Sequence, residues 1–166
     1  MNIFDVHIKN GEVIDGTGAP KFKSDIVIDK GKIIGVFPAE NGDVRDPSEN
    51  HFLSNFKAKH TINAENKIIS PGFIDVHTHD DDNVFLDPSM SSKISQGVTT
   101  CVAGNCGISL APFSYKGEVP APIALLGKSE VFRFPRVSDY KEEFNNKPSS
   151  VTVSYTHLTL PTRNCV

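Results

Sequence analysis

The chain has 166 residues and a formal net charge of −3, and 22% of its residues are charged. This composition is typical of one ordinary globular domain, and no basic block with interleaved aromatic residues indicates nucleic-acid binding. No stretch is long and apolar enough to span a membrane. The first residues alternate between apolar and polar, like a strand and unlike a signal peptide, so we expect a cytoplasmic protein. The three cysteines form no CxxC pair, which argues against a disulfide framework.

Residues 1–67 have the pattern of a small β domain. "NIFDVHIKNGEVIDG" and "SDIVIDKGKIIGV" each hold two alternating runs, and we expect a turn in each, at "KNGE" and at "DKGK". "GTGAPK" predicts a loop between them. Residues 38–59 show neither helical nor strand periodicity and are interpreted as an irregular insertion. "HTINAENKIIS" returns to strand character.

From residue 68 onwards the pattern predicts alternating strands and helices. "IISPGFIDVHTH" is apolar at nearly every position, as in a strand covered on both faces. "DPSMSSKISQG" predicts a short helix that Asp87 or Ser89 caps and Gly97 ends, and "VTTCVAG" predicts the next strand. "RVSDYKEEFNNKP" predicts a second helix with Ser138 as N-cap, and "SSVTV" starts a third strand.

This order indicates an α/β chain with two parts. We expect a small N-terminal β-sandwich-like sheet domain (1–67), followed by the first βα units of an incomplete TIM-type (β/α)8 barrel (68–151). A complete barrel needs eight βα units, and only two strands and the start of a third are present.

Residues 152–166 are interpreted as a non-native tail. "VSYTHLTLPT", residues 153–162, matches the conceptual translation of a transposase-based sequencing-library adapter. The alternative is a genuine β-rich segment, because Val, Tyr and Thr favour strands. On the adapter interpretation, His157 and Cys165 belong to no site.

Two histidines end the strand "GFIDVHTH". Residues i and i+2 of a strand share a face, so His77 and His79 are predicted to project side by side at the carboxyl end of a barrel strand, where barrel active sites lie. Both imidazoles can reach one Zn²⁺, although a polar strand end is the plainer alternative. Asp75 shares their face, and we expect it to orient a histidine or to form an internal hydrogen bond. The Asp80–Asp82 run reads as a solvated loop, and for Asp82 that interpretation is accepted.

Cys106 follows the next predicted strand in "AGNCGIS", on the same rim as the histidines. Gly104 and Gly107 allow positive φ on either side of it. Taken alone, Cys106 could be a nucleophile, a metal ligand or a small structural residue, and the neighbouring histidines favour the ligand. Cys101 lies within the strand and is expected to be a buried apolar residue.

Several of these segments carry a family resemblance. "PGFIDVHTHDD", "KISQGVTTCVAGNCGISLAP" and "IKNGEVIDGTG…DIVIDKGKIIGV" together resemble the N-acyl-D-amino-acid deacylases, or D-aminoacylases, of the amidohydrolase superfamily. The HxH pattern alone indicates only the superfamily, and the GNCG loop is the specific element. The resemblance covers most of residues 1–151 and is weakest at 38–59 and 114–130.

The resemblance implies zinc-dependent hydrolysis of the amide bond of N-acyl-D-amino acids, small-molecule substrates, to a carboxylate and a free D-amino acid. It implies one tight zinc site and a second, weaker one. His77 and His79 match the weaker position, and Cys106 matches the ligand shared with the tight zinc. The family's two further histidines and catalytic aspartate lie downstream, so we expect no catalytic residue and no activity in this chain. The alternatives are a dihydropyrimidinase-like cyclic-amide hydrolase or a non-catalytic scaffold of the same fold.

Overall fold

The computed structural model describes residues 2–40, 43–44 and 56–156. The contacts divide the chain into two compact units, Met1–Pro71 and Gly72–Val166. Within the described ranges, no helix is both long and apolar enough to cross a lipid bilayer.

The first unit is a six-stranded mixed sheet. Its strand order is β4-β3-β2-β1-β5, and the short β6 pairs with the end of β1. β1 runs antiparallel to β2 and parallel to β5 and β6. The strands are β1 (Asn2–Val13), β2 (Phe22–Asp29), β3 (Lys32–Glu40), β4 (Asp43–Val44), β5 (Phe56–Asn63) and β6 (Ile68–Ile69). Val27 and Phe37 form the centre of its apolar core.

The two predicted turns of this sheet have different outcomes. "DKGK" is a two-residue hairpin turn, with Lys30 and Gly31 both at positive φ, as the tight connection of two twisted strands requires. The turn predicted at "KNGE" is wrong, because β1 stays paired with β2 on both sides of a bulge. Asn10 adopts φ +63 there, and its peptide N–H donates to Asp25 Oδ1 at 2.9 Å, so the extra length is absorbed without reversing the chain.

The prediction of an irregular insertion at 38–59 is wrong for the part that the structure describes, because each of those residues lies in β3, β4 or β5. Residues 41–42 and 45–55 of the insertion lie outside the described residues. The loop predicted at "GTGAPK" is present between β1 and β2.

The second unit is built on a three-stranded parallel sheet with the order β11-β8-β7. β8 (Val98–Ala103) lies in the centre, between β7 (Phe73–Asp75) and β11 (Thr152–Tyr155). The predicted parallel βαβ connection and third strand are therefore confirmed. β9 (Phe113–Ser114) and β10 (Arg133–Phe134) form a small antiparallel pair. Residues 152–155 of the predicted tail form β11, as the alternative of a β segment predicted, and residues 157–166 lie outside the described residues.

Three short helices accompany this sheet: α1 (Asn83–Leu86), α2 (Ser91–Ile94) and α3 (Val137–Asn146). α2 lies within the predicted first helix, and Gly97, at φ +79, follows its last turn. Asp87 or Ser89 as its N-cap is wrong, because the N-cap is Met90. The Asp87 carboxylate still accepts the Ser91 N–H at 3.3 Å. α3 matches the predicted second helix, but Ser138 as its N-cap is wrong. Arg136 is the N-cap, and the Asp139 carboxylate accepts the Arg136 N–H at 3.1 Å.

The core of the second unit lies where α3, the segment around Leu110 and the start of β10 meet. Phe85, Phe134 and Tyr140 pack with ring centroids 5.2–5.8 Å apart. β7 is less covered than its apolar sequence predicted, because Phe73 and Ile74 are 59% and 61% exposed. β7 is an edge strand of the sheet, and within the described residues no element covers its outer side.

Candidate metal centre

The two histidines lie just beyond the end of a regular strand. β7 ends at Asp75, and His77 and His79 occupy the irregular segment that follows. Their rings nevertheless lie edge to face with centroids 5.5 Å apart, side by side as the i, i+2 spacing predicted. His77 is exposed, whereas His79 is half-buried, and among the described residues its buried Nδ1 atom has no hydrogen-bond partner. A buried ring nitrogen without a partner can bind a metal ion in its deprotonated form.

Cys106 lies in the loop that follows β8. Gly104, Cys106 and Gly107 all adopt positive φ, which turns this loop sharply. Asn105 ties it to the histidine segment, because its side-chain amide donates to the carbonyls of Val102 at 2.6 Å and Thr78 at 3.3 Å. Two segments 29 residues apart are therefore fixed next to each other.

The three predicted ligands converge. One donor atom from each of His77, His79 and Cys106 lies within 4.8 Å of the other two, and His77 Nε2 is 2.9 Å from Cys106 Sγ. Imidazole nitrogen and thiolate sulfur are the donors that Zn²⁺ prefers in proteins. The donor set and the unpartnered nitrogen of His79 fit a zinc ion.

A lysine that the sequence did not single out lies beneath the histidines. Lys93 Nζ, on α2, is 2.7 Å from Asp75 Oδ2 and 2.9 Å from Asp80 Oδ2. The hydrogen bond from Lys93 lowers the pKa of Asp75, against a smaller opposing effect of burial. Burial of Lys93 would lower its own pKa, but its hydrogen bonds to Asp75 and Asp80 outweigh that effect and raise it. Asp75 thus accepts hydrogen bonds from Lys93 and from the His77 peptide N–H. These contacts are of the internal hydrogen-bonding kind predicted for it.

The solvated-loop interpretation of the aspartate run is wrong for Asp82, which is only 8% exposed. Asp81 is fully buried, and among the described residues neither of its carboxylate oxygens has a hydrogen-bond partner. Burial raises the pKa of both groups. Tyr140 of α3 lies against this segment, because its hydroxyl donates to the Asp81 carbonyl at 2.8 Å.

The remaining site predictions are simpler. Cys101 is buried at 1% exposure, as expected for an apolar strand position. His157 and Cys165 lie outside the described residues. Lys93 and Asp81 were missed because a lysine in a short helix and an aspartate in an acidic run read as solvated. Only the contacts of Lys93 with Asp75 and Asp80 and the burial of Asp81 reveal their environment.

The comparison with protein families decides the family. Residues 60–157, which include all three candidate ligands, match the amidohydrolase family. The chain belongs to the amidohydrolase family.

The individual amidohydrolases most similar to the chain agree with the predicted resemblance. An N-acyl-D-aspartate deacylase from Alcaligenes xylosoxydans xylosoxydans is 38% identical over 149 residues, which are 90% of this chain and 27% of that relative. A solved structure of D-aminoacylase, described with a binuclear metal centre, is 41% identical, has a TM-score of 0.79 and is matched over 93% of this chain and 29% of its own. An N-acyl-D-glutamate deacylase from Bordetella bronchiseptica, solved with zinc and a phosphonate inhibitor, is 36% identical with a TM-score of 0.77, over 94% and 30%.

These comparisons confirm the predicted fold class, a small sheet domain followed by the first βα units of an amidohydrolase barrel. The chain spans less than a third of the length of these relatives.

Proposed function

We propose that this chain is the front part of a zinc-dependent hydrolase that cleaves the amide bond of N-acyl-D-amino acids. The observation that carries the proposal is the convergence of His77, His79 and Cys106 within 4.8 Å. The names of the similar proteins support the substrate class, since they act on N-acyl-D-aspartate and N-acyl-D-glutamate. The products are a carboxylate and a free D-amino acid, and the substrate is a small molecule.

The metal-binding roles are part of the proposal. His77 and His79 bind at a weaker position, and Cys106 is shared with a tight zinc. One relative is described as having a binuclear centre with one-metal activation and second-metal attenuation, which supports two unequal positions. When bound, zinc supplies a Lewis acid that lowers the pKa of water and polarises an amide carbonyl.

The proposed organisation follows the sequence. We place the N-terminal β domain at residues 1–67, the start of the hydrolase barrel at 68–151 and a non-native tail at 152–166. In the structure β6 (Ile68–Ile69) still pairs with the first sheet, and β11 (Thr152–Tyr155) pairs with β8. The catalytic aspartate and the groups that bind the substrate lie in a part of the protein beyond this chain. We therefore expect the 166-residue chain to bind metal without hydrolysing amides, and we assign the protein to the cytoplasm, with no nucleic-acid or membrane partner.

Two other functions stay open to the same test. A cyclic-amide hydrolase of the dihydropyrimidinase kind has no need of Cys106, and a non-catalytic scaffold needs none of the three ligands. The presence of all three, with an unpartnered nitrogen on His79, favours the deacylase.

The metal part is tested by titrating the chain with Co²⁺, a spectroscopic substitute for zinc. We expect a thiolate-to-cobalt absorption band that Cys106→Ser abolishes and that Cys101→Ala, the matched control at the buried thiol, retains. His77→Asn should keep the band, because Cys106 still binds. A band that survives Cys106→Ser would contradict the assigned ligand.

The substrate part is tested on the longer gene product. Sequencing the source transcript across codon 151 should reveal an open frame, and the expressed protein should release primary amine from N-acetyl-D-amino acids but not from the L forms. Hydrolysis of dihydrouracil instead would establish the cyclic-amide alternative. A transcript that enters the "VSYTHLTLPT" codons and stops would refute the enzyme assignment.

A further inference from the structure

Lys93 makes a compact set of contacts beneath the histidines. Its ammonium nitrogen lies 2.7 Å from Asp75 Oδ2, 2.9 Å from Asp80 Oδ2 and 3.2 Å from Thr78 Oγ1. An ammonium group has three N–H donors, and three acceptors of this protein surround it. The Lys93 side chain is 20% exposed, so it is not an ordinary surface lysine. Its donors are used within the protein, which leaves it poorly placed to bind a substrate.

Two of the three acceptors bracket the histidine pair, and Thr78 lies between the histidines. Asp75 is two residues before His77, and Asp80 directly follows His79. Asp75 Oδ1 accepts the peptide N–H of His77 at 3.2 Å, and Thr78 Oγ1 donates to Asp80 Oδ2. Lys93 thus holds together the two ends of the segment that carries both rings.

This segment lies outside a regular strand, because the β7 ladder stops at Asp75. Among the described residues, the backbone–backbone hydrogen bonds of 76–80 are those of the Thr78 N–H to Val102 O at 3.1 Å and of the Val84 N–H to Asp80 O at 3.2 Å. The Asn105 amide also donates to the Thr78 carbonyl. Side-chain contacts must therefore set its shape. Without the ammonium, the carboxylates of Asp75 and Asp80 would face each other across a partly buried gap, and their mutual repulsion would push the two ends apart.

From these contacts we propose that Lys93 is a positioning residue of the metal centre, which holds His77 and His79 in their ligating arrangement by clamping Asp75 and Asp80. This inference rests on the proposed function, since it requires that the histidines bind a metal. Lys93 acts through the backbone of residues 75–80 and does not touch the metal or the substrate.

The test uses the whole 166-residue chain with Co²⁺ and Zn²⁺ as the probes. Lys93→Met removes the ammonium and keeps the chain length, Lys93→Arg keeps a positive donor, and Lys116→Met is the matched control at an exposed lysine for which the described residues offer no ion pair. Groups that orient metal ligands typically contribute about 10- to 100-fold to metal affinity. We expect a loss in that range for Lys93→Met, recovered in large part by Lys93→Arg and absent in Lys116→Met.

The cobalt spectrum separates positioning from stability. At saturating Co²⁺, Lys93→Met should shift the ligand-field bands, because the histidines reach the ion in an altered geometry. Wild-type affinity and spectrum in Lys93→Met would overturn the inference and leave the metal centre intact. A variant that is unfolded without metal, but regains the wild-type spectrum with Co²⁺, would also overturn it, because Lys93 would then act on stability alone. If the wild-type chain gives no cobalt–thiolate band, the proposed metal centre fails, and the inference fails with it.

Discussion

The buried carboxyl of Asp81 leads to a sharp prediction about stability. Its side chain is 0% exposed. The N–H groups of Gly104 and Leu110 and the Tyr155 hydroxyl approach the carboxylate, but among the described residues none of them reaches ordinary hydrogen-bond geometry. Burial raises the pKa of Asp81, and these nearby donors oppose the shift too weakly to cancel it. An ionised carboxylate in such surroundings destabilises the fold. We predict that Asp81→Asn, which keeps the shape and removes the charge, stabilises the chain at neutral pH.

The magnitude follows from the missing hydrogen bonds. A buried polar group without a partner costs about 1–3 kcal/mol, and a charged group costs more. Asparagine bears the same cost as a polar group but not the additional cost of the charge, so the expected gain at neutral pH is that additional cost, on the order of 1 kcal/mol. The folded chain binds the Asp81 proton more tightly than the unfolded chain. The stability from this group is therefore fully present below the ordinary pKa of 3.8 and is lost as the pH rises through the raised value.

The assay is urea unfolding followed by circular dichroism from acid to neutral pH. The wild-type free energy of unfolding should fall above the ordinary aspartate pKa by more than that of Asp81→Asn, and Glu118→Gln, an exposed control, should follow the wild type. If Asp81→Asn is less stable than the wild type at neutral pH, the carboxylate makes favourable contacts and the reasoning is refuted.

Two further substitutions probe the two units separately. Gly104→Ala should lower the free energy of unfolding by at least about 1–2 kcal/mol. Gly104 has φ +75, and an added Cβ would lie 1.7 Å from the Thr156 carbonyl oxygen. Thermal melts that match the wild type would contradict this prediction. Asp25→Ala in the first unit should lower the free energy of unfolding by about 2–4 kcal/mol. The reason is that the buried His7 ring, 2.7 Å from Asp25, and the Asn10 N–H both lose their hydrogen-bond partner. A change below about 0.5 kcal/mol in urea unfolding would show that water replaces the carboxylate.

The sequence predicted the elements best where a local pattern has one physical solution. The "DKGK" turn needs positive φ at two positions, and lysine–glycine between two alternating runs satisfies it in one way. The HxH spacing and the GNCG loop follow adjacent parallel strands, so their side chains meet at the same sheet edge and the three ligands could be named in advance.

The failures share a different cause. "KNGE" reads as a turn, but Asn10 tolerates positive φ in a bulge equally well, and the Asp25 carboxylate 15 residues away decides between them. Asp82 reads as solvated, but it is 8% exposed and its Oδ1 lies 4.0 Å from Arg133 Nη1. Lys93 acquires its role from Asp75, 18 residues away. Each of these residues depends on a partner distant in sequence, and a local pattern does not contain that partner.

The order of the three-stranded sheet supports the ligands of the candidate metal centre unequally. Cys106 follows β8, which is hydrogen-bonded to a strand on either side, whereas the histidines follow β7, a three-residue strand at the edge. Edge elements with few buried contacts open at lower free energy than central ones. We therefore expect transient opening at β7 to displace the imidazoles while the thiol stays in place. A departing metal ion would then lose its histidine ligands first, and an arriving ion would bind the cysteine first.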